Sequence, residues 1–337
     1  MPITDRESLH QHLQTALRIE HATIPPYLCA LYSIPDGTNL EASAIIRSVV
    51  MEEMLHMTLV ANVLNAVGGA PVVADPSFLV AYPSPLPHSA KGFEVSLLPL
   101  GEQALQTFLE IERPEKWGAP PESGDYDTIG QFYEAVLEGM TRLAEGPGGE
   151  DLFNGDASRQ VPTARWYYGG GGEVLPVTDL ASATRAIHEI MEQGEGLDHT
   201  IFDGDDHFAQ VDDIAHYFRF NEIKAARRYR ASDTPKSGPQ GVELPMDWSA
   251  MYPMHPNPKV HEYAHQPDVQ RLMAEFNRSY TTLLRELQWA FNGTPDRLFN
   301  AVPLMYQLRH QAQSLMKIPS CHGHGTTVGP SFEYDEG

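Results

Sequence analysis

One helix of this sequence carries an acid and an imidazole where its core-facing row should be apolar. Stepping by threes and fours through residues 39–67, the row reads Ile46, Val49, Glu53, His56, Val60 and Val63. An unpaired carboxylate is costly to bury, so a glutamate in such a row must be paired, protonated or bound to a cation. Three residues apart, Glu53 and His56 project to one side and reach one ion or two adjacent ions. This Glu-x-x-His element is the one that di-metal carboxylate bundles use. A hydrogen-bonded Glu–His pair in a dry core is the competing reading. Glu52 points about 100° away from Glu53 by the helical period, which predicts an outer-face residue.

Three other segments repeat the mixture. Glu20 lies in LRIEHATI, one turn before Pro25 and Pro26, where carbonyls freed by the prolines make a polar site more tolerable; a solvated glutamate is the alternative. In IHEIMEQGEG, His188, Glu192 and Glu195 form one stripe beside Ala183, Ile187 and Ile190. Gly194 and Gly196 each cost a helix about 1 kcal/mol against alanine, so a local bulge that turns Glu195 inward is expected. A frayed helix end with surface acids is the competing reading. In DDIAHYFRFNEI, Asp213 and His216 share a face with Ala209, Phe220 and Ile223. Asp213 reaches less far than a glutamate, which suits a ligand or a hydrogen bond to a ligating His216. Glu20, Glu53, His56, Glu192, Glu195, Asp213 and His216 together supply hard oxygens and two imidazoles. That set suits two iron ions, with manganese as the alternative, whereas thiolate-loving ions would want cysteine.

The frame around these residues reads as all-α. Thr4 and Glu7 are read as a capping box opening a helix over 5–33, interrupted at Pro25-Pro26. The second helix, 39–67, stops at Gly68-Gly69. Residues 70–175 read as a long irregular insertion holding two short strands and helices over 102–111 and 128–143. Helical period returns over 179–195 and 211–230. An αα-hairpin over 268–317 turns at Asn292-Gly293, with Thr294 as N-cap before Pro295. The expectation is one domain, 1–337, because helices that share chemistry are far apart in sequence.

Charge and composition close off several functions. The 337 residues carry 45 acids against 23 bases, a formal net charge of −22, which repels phosphate and argues against nucleic-acid or anionic-membrane partners. The densest basic stretch, 224–230, is short. The acidity reads either as solubility or as carboxylates awaiting cations. Two cysteines, a leading MPITDRESLHQHL without signal-peptide character and no run of about 18 apolar residues predict a cytoplasmic protein. No P-loop, dinucleotide fingerprint or GxSxG elbow appears, so no nucleotide cofactor is expected. Other features have plain readings. Met51, Met54 and Met57 read as core filler, Arg219 as one arm of a surface salt bridge rather than a substrate anchor, Trp166, Tyr167 and Tyr168 as loop anchors, and Cys321-His322-Gly323-His324 as an incidental cluster.

Several longer strings carry a family resemblance. RIEHATIPPYLCALYSI, LEIERPE, TIGQFYEAV, EQGEG, AHYFRFNEI, FNRSYTTLL, WAFNG and GPSFEY resemble the ferritin-like iminophenyl-pyruvate dimer synthase family, whose domain also occurs in chromopyrrolate-synthase-type proteins. The resemblance runs from about Leu9 to Tyr334. It implies a ferritin-like four-helix bundle and oxidative chemistry on small aromatic or amino-acid-derived metabolites. The family's bundle acids and histidines fall on Glu20, Glu53, His56, Glu192, Glu195 and His216, and Asp213 departs from the usual glutamate.

The leading expectation is therefore a non-haem di-iron oxidase or oxygenase taking O2 and a small-molecule substrate, with self-association into a homo-oligomer as a further expectation. A metal-stabilised accessory protein without turnover is the runner-up. An iron store is a third reading, which the long insertion opposes.

Overall fold

In the computed structural model, residues 2–89, 93–114, 121–122, 125–163, 171–196, 200–204 and 214–336 are described. Among them the chain forms eight α-helices and no strand. The helices are α1 (Arg6–Tyr32), α2 (Leu40–Ala66), α3 (Glu102–Ile111), α4 (Ile129–Glu145), α5 (Leu180–Glu195), α6 (His216–Ala225), α7 (Pro267–Ala290) and α8 (Leu298–Leu315). None of them is long and apolar enough to cross a membrane.

Helices α1, α2, α5 and α4 close a ring in which each packs on the next. Their inward rows are apolar: Leu9, Leu13 and Leu17 on α1, Val49, Val60 and Val63 on α2, Val136 and Met140 on α4, Ala183, Ile187 and Ile190 on α5, all buried. Each such aliphatic side chain contributes about 1.5–3 kcal/mol on leaving water, which outweighs the weak intrinsic propensity of the β-branched positions. The short helices α3 and α6 pack on each other and reach α1 and α2 respectively. Helices α7 and α8 form the expected C-terminal hairpin, turning at Gly293 with φ +99.

Several expectations need correction. α1 starts from Asp5, not Thr4: the Asp5 carboxylate accepts from the Ser8 N–H at 2.8 Å, and Ser8 Oγ accepts from the Asp5 N–H at 3.1 Å. The helix also runs straight through Pro25 and Pro26. Pro26 cannot donate to the Ala22 carbonyl, and the buried Tyr82 hydroxyl donates to that oxygen instead, at 2.8 Å. The two short strands expected in 70–175 reduce to isolated pairings such as Ser84 with Val95. α4 falls within the stretch read as insertion, yet it closes the helical ring. α6 is shorter than the 211–230 pattern, because Ala226 takes a left-handed conformation (φ +50) that ends it.

Buried amides pin the irregular segments to the ring. Asn62 on α2 donates to the Val161 and Leu175 carbonyls at 3.0 Å each and accepts from the Val161 N–H at 2.8 Å. Gln160 closes the same region through two bonds with the Val177 backbone. Asn62→Ala strands three backbone groups at the cost of roughly 1–3 kcal/mol for each that stays dry. A clear fall in thermal midpoint, measured by calorimetry, is the expected outcome; an unchanged midpoint would contradict this role for the amide.

Candidate metal centre

The acids and histidines converge inside the ring. Two clusters form, Glu20 with Glu53 and His56, and Glu53 with Glu112 and His216. In each, one donor atom per residue lies within 4.8 Å of the others, and every member is buried. Glu53 belongs to both. Glu20 comes from α1, Glu53 and His56 from α2, Glu112 caps the C-terminus of α3, and His216 opens α6.

Each histidine is oriented from behind. His216 Nε2 donates to Glu52 Oε2 at 2.9 Å. His56 Nε2 donates to Gln193 Oε1 at 2.8 Å, an orientation supported by the Gln193 amide donating to Glu189 at 3.3 Å. Once Nδ1 gives up its proton to a cation, Nε2 keeps its own, and both Nδ1 atoms present lone pairs to the carboxylate-lined space. His56 Nδ1 lies 3.2 Å from Glu20 Oε2. His216 Nδ1 lies 3.0 Å from Glu53 Oε1 and 3.6 Å from Glu112 Oε2, yet neither oxygen is placed to complete a hydrogen bond, and the buried nitrogen has no such partner.

The carboxylates are also held from outside. Tyr133 donates to Glu20 Oε1 at 2.5 Å, Thr23 to Glu53 Oε2 at 2.8 Å, and Tyr27 to Glu112 Oε1. Burial and the neighbouring carboxylates push both phenols well above their ordinary value of 10.0, so they remain donors. The inner face of the cluster is thus a shell of oxygen and imidazole acceptors around shared space. That donor set fits a pair of hard or borderline cations such as iron or manganese.

The electrostatics agree. Burial, then repulsion from Glu112, pushes Glu53 up to about 7 despite the nearby imidazoles. Burial pulls His216 down, but Glu112, Glu52 and Glu53 outweigh it and hold the ring well above 6.5. Without a cation the cluster therefore holds protons at neutral pH.

Glu52 is the main correction. Expected on the outer face, it is fully buried, because α5 and α6 as well as α1 pack on α2 and cover more than one of its sides. Its Oε1 accepts from Arg219 at 2.9 Å and from the Gly171 N–H at 3.1 Å. Burial raises its pKa, and Arg219 with His216 more than reverses that, leaving it ionised. Arg219, read as a surface salt-bridge residue, is buried between Glu52 and Asp203, each at 2.9 Å.

The remaining expected residues separate. Glu195 lines the cleft that opens onto the cluster, while Glu192 is half-buried outside both metal-competent groups. α5 stays α-helical to Glu195 with no bulge, and its buried polar residue near the cluster is Gln193. His188 is exposed. Asp213, Ala209 and the Trp166–Tyr167–Tyr168 run lie outside the described residues. Cys321, His322 and His324 belong to no metal-competent group among the described residues; His322 stacks on His255 at 5.1 Å.

Glu112 and Gln193 were missed although they carry the same signal as Glu53. Glu112 continues the buried row Leu105, Phe108, and Gln193 the row Ala183, Ala186, Ile190. The narrow cleft beside the cluster, about 30 Å³ in volume and open to solvent, is lined by Ile111, Ile129, Ile190 and Met191 together with Arg113 and Glu195. Gly130 makes room there for the Glu195 carboxylate: a Cβ would sit 2.6 Å from Glu195 Oε1.

A family model described as ferritin-like matches residues 13–225, more than half of the chain and all of the cluster. The chain belongs to the ferritin-like family. Among curated proteins it is 29% identical to a dichlorochromopyrrolate synthase from Lentzea aerocolonigenes, over 99% of this chain and 36% of that protein. The chain thus spans about a third of the length of that relative. The crystal structure of a ferritin-like protein from Caulobacter vibrioides, at 1.95 Å resolution, matches with a TM-score of 0.63 at 23% identity. That match covers 99% of this chain and 100% of the other, and it supports the fold.

Two outcomes test the centre. Glu52→Gln removes the charge that orients His216 and should weaken metal binding by about 10–100-fold, read by competition with a coloured chelator; unchanged affinity would contradict the orienting role. Cations need deprotonated ligands, so loading should release protons, and affinity should fall as pH drops below about 7, where Glu53 holds its proton. Calorimetric titration with Mn(II) in buffers of different ionisation enthalpy measures both, and a pH-independent affinity between about 6 and 8 would refute the assignment.

Proposed function

We propose that this ferritin-like protein is a di-iron oxidase or oxygenase that acts with O2 on a small, amino-acid-derived or aromatic metabolite. The observation that carries the reading is Glu53, a single buried carboxylate with an oxygen in each of two metal-competent clusters. A residue so placed would be shared by a pair of cations, with Glu20 and His56 holding one and Glu112 and His216 the other, as in di-metal carboxylate bundles. When bound, the pair of irons supplies O2 activation and the redox equivalents.

The chain's own residues do the rest. Glu20 and Glu112 neutralise charge at the two ends of the cluster, each held by a tyrosine hydroxyl. His56 and His216 keep their Nδ1 atoms aimed inward through Gln193 and Glu52. The isoleucines and Met191 give the cleft an apolar wall, and Arg113, lining the same cleft, offers a charged partner for a carboxylate on the substrate. The name of the Lentzea relative, a synthase of a chlorinated pyrrole carboxylate, supports an aromatic acid as the substrate class. That relative is nearly three times as long, so its whole reaction is not carried over.

Protein produced in iron-rich medium should hold close to two ions per chain by elemental analysis. Glu53→Ala should lose both ions rather than one. Rapid mixing of the ferrous protein with O2 should produce a transient visible absorbance. Two bound ions with no transient would move the protein to an accessory, non-catalytic role, and no bound metal would end both readings.

A further inference from the structure

A second cavity lies on the other side of α2 from the metal centre. It is bounded by Leu31 on α1, Met51, Met54 and Met57 on α2, Leu287 on α7 and Met305 on α8, and has a volume of about 200 Å³, with a mouth open to solvent. The helical period separates the two sites. Met54 and Met57 follow Glu53 and His56 by one residue each and are turned about 100° from them, so a molecule in this cavity faces the back of the metal-bearing row. Met57 belongs to the buried core as expected, while Met51 and Met54 are half-buried, and all three line this space.

Two guanidiniums stand at one end of this apolar space. Arg47 lies one turn before Met51 on α2, and Arg309 one turn after Met305 on α8. Arg309 reaches Asp36 in the α1–α2 connection at 2.6 Å, which puts it at the end of the bundle where α2 begins. Asp36 is the acid that faces it, and that pair is solvent-exposed, with side chains 41% and 70% accessible, so it exchanges readily for another carboxylate. Arg47 makes no ion pair among the described residues. On a chain with net charge −22, a pair of cations beside an apolar cavity is a local reversal of sign.

We propose that this cavity binds a small amphipathic anion, an alkyl or aryl body with one carboxylate, at a site separate from the metal centre. The apolar body lies among the methionines, whose unbranched side chains adapt to irregular shapes. The carboxylate lies between Arg47 and Arg309. A roomy apolar cavity with a few convergent polar groups is the usual form of a small-molecule site.

The test is calorimetric titration of the full-length, metal-loaded protein with decanoate, 2-naphthoate and decyltrimethylammonium, each below its micelle concentration. The two carboxylates probe alkyl and aryl bodies, and at least one should bind with one site per chain; the cationic amphiphile should not bind. Arg47→Gln with Arg309→Gln, both at the rim, should weaken the anion by about tenfold or more. Val302→Trp, which fills the space from the α8 side, should abolish binding while metal content and far-UV circular dichroism stay unchanged. Equal affinity for anion and cation, or anion binding that survives Val302→Trp, would overturn the proposal. So would light scattering that shows a dimer converted to monomer by Val302→Trp, since the cavity would then seat a second copy of the chain. Because metal content is read in the same samples, failure here is distinct from failure of the metal centre.

Discussion

Three glutamates facing one another in a dry interior are the constraint around which this protein is built. Negative charges at such separation repel, and each has surrendered its hydration; left alone they would destabilise the fold by several kcal/mol. The structure relieves this from two directions. From outside, Tyr27, Thr23 and Tyr133 donate to Glu112, Glu53 and Glu20. From inside, the cluster presents only acceptors, a geometry that protons satisfy partly and cations satisfy fully. Folding and ligation are therefore coupled: whatever occupies the shared space also stabilises the helices that surround it.

The helices explain how such a cluster is assembled. Two 27-residue helices, α1 and α2, supply the rigid half. The other contributors come from ends of short elements, Glu112 from the C-cap of α3 and His216 from the first position of α6. The start of α6 has no side-chain cap, and the positive end of its dipole lies at His216, beside Glu52 and Glu53. Behind His216, the buried run Glu52–Arg219–Asp203 alternates in sign, so each charge is balanced by its neighbours. This is a fixed scaffold for the imidazole, built from residues that never touch the shared space.

Much of this was legible in the sequence, and the misses have one cause. Glu53, His56 and His216 stood out because polar residues interrupted apolar rows, and Glu20 because of its place before two prolines. The same rule, applied to LQTFLEIE and AIHEIMEQ, would have found Glu112 and Gln193. Glu112 lies in a stretch that reads as an insertion, and Gln193 sits beside a glutamate stripe, so neither stands out from its surroundings. Glu52 failed for a geometric reason. A helical wheel assumes one inward face, and α2 is enclosed on several sides, so adjacent residues 100° apart are both interior. The unbroken path of α1 through Pro25-Pro26 could not be read locally, since it depends on Tyr82, sixty residues away, reaching the Ala22 carbonyl.

Gly130 has a wider consequence. Where α4 passes the cleft, a missing methyl group is what separates backbone from the Glu195 carboxylate. A side chain at this position would push aside that carboxylate, the movable end of a flexible chain, and so shift where negative charge sits beside the cleft. Related chains could reposition an acid at this doorway by adding a single carbon to α4, leaving the buried acids and imidazoles of the cluster where they are.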